Sequence, residues 1–529
     1  MYHYNNSLCL GIVGASTFLL LAPAQADQLD DLLHQLREKG VLNQQEYRML
    51  SKQATTAAPT PVGQAEVIDQ LMQRLKAKGI LTQSEYAKLS STALAPATPT
   101  ETISADESAT ASTSDTIAPS TADAPAGGTV VRTLEKGVGV RIGSVDVQLS
   151  GGVNAFYVHN SPDHQDAHNV VAGGIAGANG QNSASVRNGL LPSNFSVSIK
   201  TQQQGYDVGA TFGLYPGLNS VSGVGGANSA GNPRALGTSG IDFRQQFITV
   251  GTPVMGTFKG GRDIGLFGAQ AILNDFSLLG VGTPGNNVAP SNTSFGRIGL
   301  GYVYTDFQPQ ITYTSPPFNG LTVSLGVFTP LDAVNFSGES GVLEAHDQPG
   351  LQGQLIYEKD LGNVGTKLWT SFVTQKLESD GIDNGDALPK GKSVRASGFD
   401  LGGKFTIGPA NLVLYGYNGK ALGSTGLFFD AISQTGEARD SHGFYAQGTY
   451  QFLERFTLGV SYGASYLDEA SGEDSPLLVK RNESWLGGLR YQLTDWVQLA
   501  GEYTHTMSEA HGGNSADEDT VAVGASLFF

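Results

Sequence analysis

Residues 444–463 read FYAQGTYQFLERFTLGVSYG. Phe444, Ala446, Gly448, Tyr450 and Phe452 alternate with Tyr445, Gln447, Thr449 and Gln451. Past Leu453-Glu454, Phe456, Leu458, Val460 and Tyr462 alternate with Thr457, Gly459, Ser461 and Gly463. Successive side chains of a strand point to opposite faces, so the stretch predicts a hairpin with one apolar face. Each arm approaches the nine to eleven residues that a tilted strand needs to cross a bilayer. Strands of soluble proteins are usually only five to six residues long.

The same pattern recurs from about Val130 to Phe529. Phe195, Val197 and Ile199 carry it, as do Tyr206 to Leu214, Leu321 to Val327, Phe399 to Ile407, Trp485 to Leu493 and Val521 to Phe529. Aromatic residues such as Phe195, Tyr206, Phe399, Tyr450 and Trp496 stand at segment ends, as in the interfacial girdles of membrane barrels. Connections alternate in length. Gln203-Gln204-Gly205, Thr252-Pro253, Gly408-Pro409, Leu453-Glu454 and Thr494-Asp495 are tight turns. The stretches 160–192, 216–240, 263–295, 330–349, 378–396, 421–440, 468–480 and 509–518 are long and read as polar external loops, apart from 263–295. Short turns on one side and long loops on the other is the arrangement of outer-membrane barrels. The expected fold is an all-β transmembrane barrel over 130–529. It has sixteen antiparallel strands if Arg297–Thr314 holds one spanning strand; eighteen is the alternative.

Composition agrees. Of 529 residues 70 are Gly, only 15% are charged and 40% are hydrophobic. The net charge of −17 argues against nucleic-acid binding, which needs a basic footprint. The single cysteine, Cys9, lies in the apolar stretch Leu8–Ala22. With Ala24-Gln25-Ala26 as a small-x-small cleavage site, residues 1–26 read as a secretory signal, although residues 1–7 lack Lys and Arg. Its removal leaves no cysteine, so disulfides and Cys-based zinc sites are excluded.

Residues 27–91 form a duplicated helical segment. Asp30–Ser51 aligns with Asp69–Ser90, sharing Leu32/Leu71, Leu36/Leu75, Gly40/Gly79, Glu46/Glu85 and Tyr47/Tyr86. Gly40 and Gly79 suit a helix end, and Asn43-x-x-Glu46 and Thr82-x-x-Glu85 suit a helix start. Each unit is too small to bury its apolar stripe alone, so it either associates between chains or pairs within one. Residues 92–129, rich in Ala, Thr, Ser and Pro, are expected to be a disordered linker.

The 263–295 stretch carries Leu266, Phe267, Ile272, Leu273, Phe276, Leu278 and Leu279, too many apolar groups for an exposed loop. It is expected to fold inward as a constriction loop. Arg262 and Arg297 flank it. They either present guanidinium groups to anions or tie the loop to the wall through Asp263 or Asp275. By alternation Lys200, Lys404, Arg490, Asp400 and Glu502 face the lumen, so the wall is of mixed charge. Gly459-Val-Ser461-Tyr-Gly463 matches the G-x-S-x-G pattern of a hydrolase nucleophile, but that motif needs a strand-to-helix turn and here alternation runs through it. His164 and His168 stand in a polar loop and pair on a metal only if that loop is helical. No metal, cofactor or enzymatic activity is expected. An outer-membrane hydrolase and a structural or adhesion barrel are the alternatives.

Phe243-Arg-Gln-Gln-Phe247, Gly260-Gly-Arg-Asp-Ile-Gly-Leu-Phe-Gly268, Ile272-Leu-Asn-Asp275, Gly280-Val-Gly282 and Gly296-Arg-Ile-Gly299 before Tyr302 resemble the DcaP-like trimeric porins. A general porin resemblance spans 130–529, and the terminal Phe529 resembles the signal that such barrels present to their assembly machinery. The resemblance implies a homotrimer in the outer membrane, contacting lipid and lipopolysaccharide. It implies diffusion of small anions, dicarboxylates and the like, and a periplasmic, coiled-coil N-terminal segment. The duplicated helical unit departs from the single segment expected of that family.

Overall fold

The structure, a computed structural model, describes residues 131–529 apart from 135–136, 165, 177–181, 219–240, 286–292 and 382–387. The export signal 1–26, the helical segment 27–91 and the linker 92–129 lie outside the described residues.

Nineteen strands follow one another along the described chain. The first five are β1 (Val131–Thr133), β2 (Val138–Ile142), β3 (Val145–Pro162), β4 (Ser183–Arg187) and β5 (Asn194–Gln203). Next come β6 (Tyr206–Pro216), β7 (Ile241–Thr252), β8 (Gly256–Ile264), β9 (Phe307–Thr314), β10 (Leu321–Phe328), β11 (Gly350–Leu361) and β12 (Val364–Glu378). The last seven are β13 (Ser393–Ile407), β14 (Ala410–Lys420), β15 (Asp440–Phe452), β16 (Phe456–Leu467), β17 (Val479–Gln492), β18 (Val497–Ala510) and β19 (Ser515–Phe528). Every neighbouring pair is antiparallel.

Sixteen of these strands close a barrel: β3 and β5 through β19. Closure is made on β3, whose upper part pairs with β19 from Gly152↔Phe528 to Pro162↔Glu518. Its lower part pairs with β5, with Val145 opposite Thr201. The three others extend this seam. β4 runs beside the upper part of β3, β2 beside the lower, and β1 on β2. The count settles on sixteen because β9 has only eight residues. Arg297–Asp306, read from sequence as part of a strand, belongs to the preceding connection.

Alternation sorts the wall. Leu401, Val460, Trp485 and Val523 are each 58–61% exposed, while their neighbours Asp400, Ser461, Ser484 and Ala522 are 1–3% exposed. Large apolar groups facing out in a continuous belt suit acyl chains rather than water. The tight turns follow the twist of the strands. Gln204-Gly205 and Leu453-Glu454 place both central residues at positive φ, the mirror-image turn that splays antiparallel strands least.

Two features differ from the sequence reading. First, the lumen is not polar throughout. Trp369, Val413, Tyr415, Tyr417 and Tyr445 of the inner wall are 1–5% exposed. They pack with Phe267 and Ile272, and with Leu422, Leu427, Phe428 and Ile432 of 421–439. That connection, expected outside, packs against the inner wall, and Ala333 and Leu343 of 329–349 join it. Its apolar residues have no other way to leave water. Second, the last connection, expected over 509–518, is only 511–514, because β18 and β19 extend to Ala510 and Ser515.

Candidate functional site

The described residues of 265–306, between β8 and β9, run inside the barrel. Gly268, at φ 73, turns the chain into a one-turn helix, α1 (Ala269–Leu273), which buries Ala269, Ala271 and Ile272. Asp275 starts a tighter turn over Phe276–Leu279 by accepting the Ser277 amide at 2.9 Å. The Tyr302 hydroxyl donates to the same carboxylate at 2.9 Å.

The wall holds this segment by its backbone. Gln352 Oε1 on β11 accepts the amides of Leu266 and Phe267 at 2.8 and 3.0 Å. Asp400 on β13 accepts Gly268 N at 3.0 Å. Gln447 on β15 accepts Phe276 N at 2.6 Å and donates to Asn274 O at 2.9 Å. Glu502 on β18 accepts the amides of Val281 and Gly282 at 2.8 and 3.0 Å. The loop therefore satisfies its buried amides with side chains that alternation aims inward.

Close approach explains the glycines. A Cβ on Gly280 would run into the Glu502 carboxylate, and Gly282 sits at φ 57. A Cβ on Gly459 or Gly488 would strike the Phe276 ring, and one on Gly463 would strike Leu300 O. The G-x-S-x-G stretch thus serves as a slot for the loop. Ser461 between them lies in mid-strand, 3% exposed, and its Oγ has no hydrogen-bond partner among the described residues. A serine nucleophile needs a base within reach.

The flanking arginines stand elsewhere than expected. Arg262 pairs in register with Gln246 and Pro309. Its strand face is that of Phe258 and Ile311, which are 49% and 64% exposed, so it points out of the barrel. Sequence flanking of the loop said nothing of parity. Arg297 lies inside but is 0% exposed. Its Nη1 donates to Leu300 O and Ser484 Oγ, each at 3.1 Å. Burial pulls its pKa below the usual value, against the pull of nearby Asp275. It ties the loop to β17 and presents no surface to a permeant. Of its two expected carboxylate partners, Asp275 is nearby, whereas Asp263 pairs with Lys259 and accepts Gln245 Nε2 at 2.8 Å.

The wall charges divide by sign at the level of the loop. Asp263, Asp275, Asp400 and Glu502 are 1–6% exposed, each already engaged by protein donors. Arg490 lies over the Phe276 ring, its guanidinium carbon 3.9 Å from the centroid, and donates to Phe276 O. Lys404 is half-buried and has no ion pair among the described residues. Lys404 and Arg490 face one cavity beneath the loop, with Leu273, Asn411 and Thr449. Lys200 is exposed near the short-turn end of the barrel, opposite Asp146, which Arg141 already holds at 2.7 Å. Phe529 continues the seam, exchanging backbone hydrogen bonds with Gly151, its ring 5.9 Å from Trp496.

The sequence reading did not single out Gln352, Gln447, Ser484 or Gly488. Lumen-side glycines opposite an apolar loop were the available signal.

The family model for Gram-negative porins matches residues 109–527. The outer membrane channel DcaP of Acinetobacter baumannii aligns over 73% of this chain and 98% of its own, at 15% identity and TM-score 0.52. OmpF of Salmonella typhi, in complex with daunomycin, aligns over 73% and 98% at 13% identity and TM-score 0.45. OmpT of Vibrio cholerae, in a trimer form, aligns over 73% and 100% at 13% identity and TM-score 0.43. No curated protein sequence matches the chain.

Proposed function

The chain belongs to the Gram-negative porin family, an outer-membrane family of passive channels, and from that premise we propose that its permeants are small organic anions. One observation carries the reading. At the level of the inward loop Asp263, Asp275, Asp400 and Glu502 are buried and accept hydrogen bonds from the protein, while Lys404 and Arg490 line the cavity beneath the loop, with Asp275 at its edge. A lining cation that no carboxylate neutralises, as Lys404 is among the described residues, favours anions. The resemblance adds dicarboxylates and the like as a candidate class. Reversal potential of the purified protein in a planar bilayer under a salt gradient is the test: a shift toward the chloride potential supports the reading, and a shift toward the potassium potential overturns it.

The same proposal includes a homotrimer. Arg262 stands four residues beyond Phe258, whose ring meets Tyr313 at 5.0 Å near the Thr252–Gly256 turn. Four residues rise about 13 Å along a strand and about 10 Å along a barrel tilted near 40°. That is mid-belt, where an arginine against lipid costs roughly 2–4 kcal/mol. A neighbouring copy over β7–β9 removes that cost. The proposal also takes residues 1–26 as an export signal and 27–91 as a periplasmic extension, both outside the described residues. Phe529 is read by the assembly machinery, and the acidic external loops meet lipopolysaccharide.

A further inference from the structure

The cavity beneath the inward loop has two chemically different sides. Its volume is about 200 Å³. The loop side is Leu273, Leu278 and Leu279, with the Asp275 carboxylate, held by Ser277 and Tyr302, at its edge; the wall side is Lys404, Asn411 and Arg490. Leu273 is the anomaly. Ala271, Ile272 and Phe276 around it are 0–7% exposed, yet Leu273 is 51% exposed. It ends α1 and lines the same cavity as Lys404. The described residues leave half of its surface uncovered.

Resting on the anion-channel reading, we propose that this cavity is a subsite for monocarboxylates with an apolar body about the size of a benzene ring, and that it favours them over polar dicarboxylates. The carboxylate is drawn to the Lys404 ammonium, which has no ion pair among the described residues, and to the amide of Asn411. The body lies on Leu273, Leu278 and Leu279 and removes their apolar surface from water. Size agrees: a cavity of about 150 Å³ holds benzene. A dicarboxylate of similar length would press its second charge onto the leucines beside the Asp275 carboxylate, where desolvation and like charge both oppose it. Arg490 is already committed to the Phe276 carbonyl and ring, which keeps the loop in place over the cavity.

The test uses the full-length protein in planar bilayers, with potassium benzoate, gluconate and succinate each opposed to potassium chloride. Benzoate should be more permeant than gluconate, a hydrophilic monocarboxylate, and than succinate. Leu273→Asn should lower the benzoate-to-gluconate ratio at least about threefold, since one buried methylene is worth about a factor of four. Lys404→Gln should lower all three anions relative to potassium. A benzoate ratio no higher than that of gluconate overturns the proposal, as does a Leu273→Asn ratio equal to the native one. Either result leaves the anion-channel reading standing if the salt-gradient potential is anionic. A cationic potential overturns both.

Discussion

The carboxylate of Asp400 receives the amide of Gly268 at 3.0 Å, across 132 residues of chain. It also accepts Ser371 N at 2.6 Å, so one wall residue holds the chain at the start of α1 and bonds the neighbouring strand β12. A hydrogen bond to a charged group contributes about 1.5–3 kcal/mol. Asp400→Asn keeps the shape and removes the charge, and should weaken docking of the loop by about that amount. Single-channel recordings should show more conductance noise at an unchanged barrel melting temperature, because several other anchors remain. A quiet native-like trace would refute the anchoring role.

Gly459 and Gly448 make a matched pair. A Cβ on Gly459 meets the Phe276 ring, whereas one on Gly448 meets nothing within 4 Å. Overpacking costs about 1–3 kcal/mol. Gly459→Ala should therefore displace Phe276 and alter unit conductance, and Gly448→Ala should not. Equal conductance in the two variants would show that the slot is not what seats the loop.

The barrel was legible because period-two alternation is the direct consequence of a wall with lipid outside. The extent of the inward loop was half legible. Leu266, Phe267 and Phe276 betray burial by composition alone. Arg297–Asp306 misread as strand, because Tyr302 and Tyr304 alternate with small residues yet pack on Tyr445 and Thr425 inside. The pore arginines were not legible, because facing depends on strand register. Arg262 shares its parity with Phe258, so it points out. Asp400 and Glu502 have the parity expected of lumen residues, but their engagement by loop amides depends on contacts more than 100 residues away in sequence.

Acid should loosen the outer end of the barrel. Arg439 is 0% exposed and donates to Ser340 Oγ, Asp430 O, Glu339 O and Glu473. Burial alone would push Glu473 up, but Arg439, the Ala470 amide and Ser475 outweigh it and hold it below 4.5. A depressed carboxylate stabilises the fold above its unfolded value, and that contribution is lost as pH falls through the lower folded value. Channel closures should be rare at neutral pH and increase only as the pH falls below the ordinary glutamate range. Glu473→Gln should show them already at pH 7. A transition centred above pH 5, or a Glu473→Gln trace like the native one, counts against this clamp.

Arg262 tests the assembly. If a second copy covers β7–β9, Arg262→Leu removes a polar contact and lowers the dissociation temperature of the oligomer on unheated gels. If lipid covers that face, the same change relieves roughly 2–4 kcal/mol of exposed charge and raises the stability of the barrel. The two outcomes have opposite sign, so a rise in stability without loss of oligomer sinks the interface.

Selectivity is the most exposed expectation. The whole chain carries −17, which opposes anion entry, but much of that charge lies in connections at the outer end. Screening over about 8 Å at physiological salt limits its reach to the cavity beneath the loop. There the available charge is that of Lys404, with Arg490 behind it. A unit charge 6 Å from a permeant in water is worth about 0.7 kcal/mol, or roughly threefold in occupancy. In a tenfold potassium chloride gradient the native protein should reverse toward the chloride potential. Lys404→Gln should move that potential toward zero by an amount matching about a threefold fall in anion preference, and more so at low salt. Arg262→Gln should leave it in place, because that side chain points out of the wall. Arg297→Gln should act differently again: losing its bonds to Leu300 and Ser484 frees the returning end of the loop, so unit conductance changes before selectivity does. A potential that follows Arg262 and ignores Lys404 would refute the assignment of the pore charge.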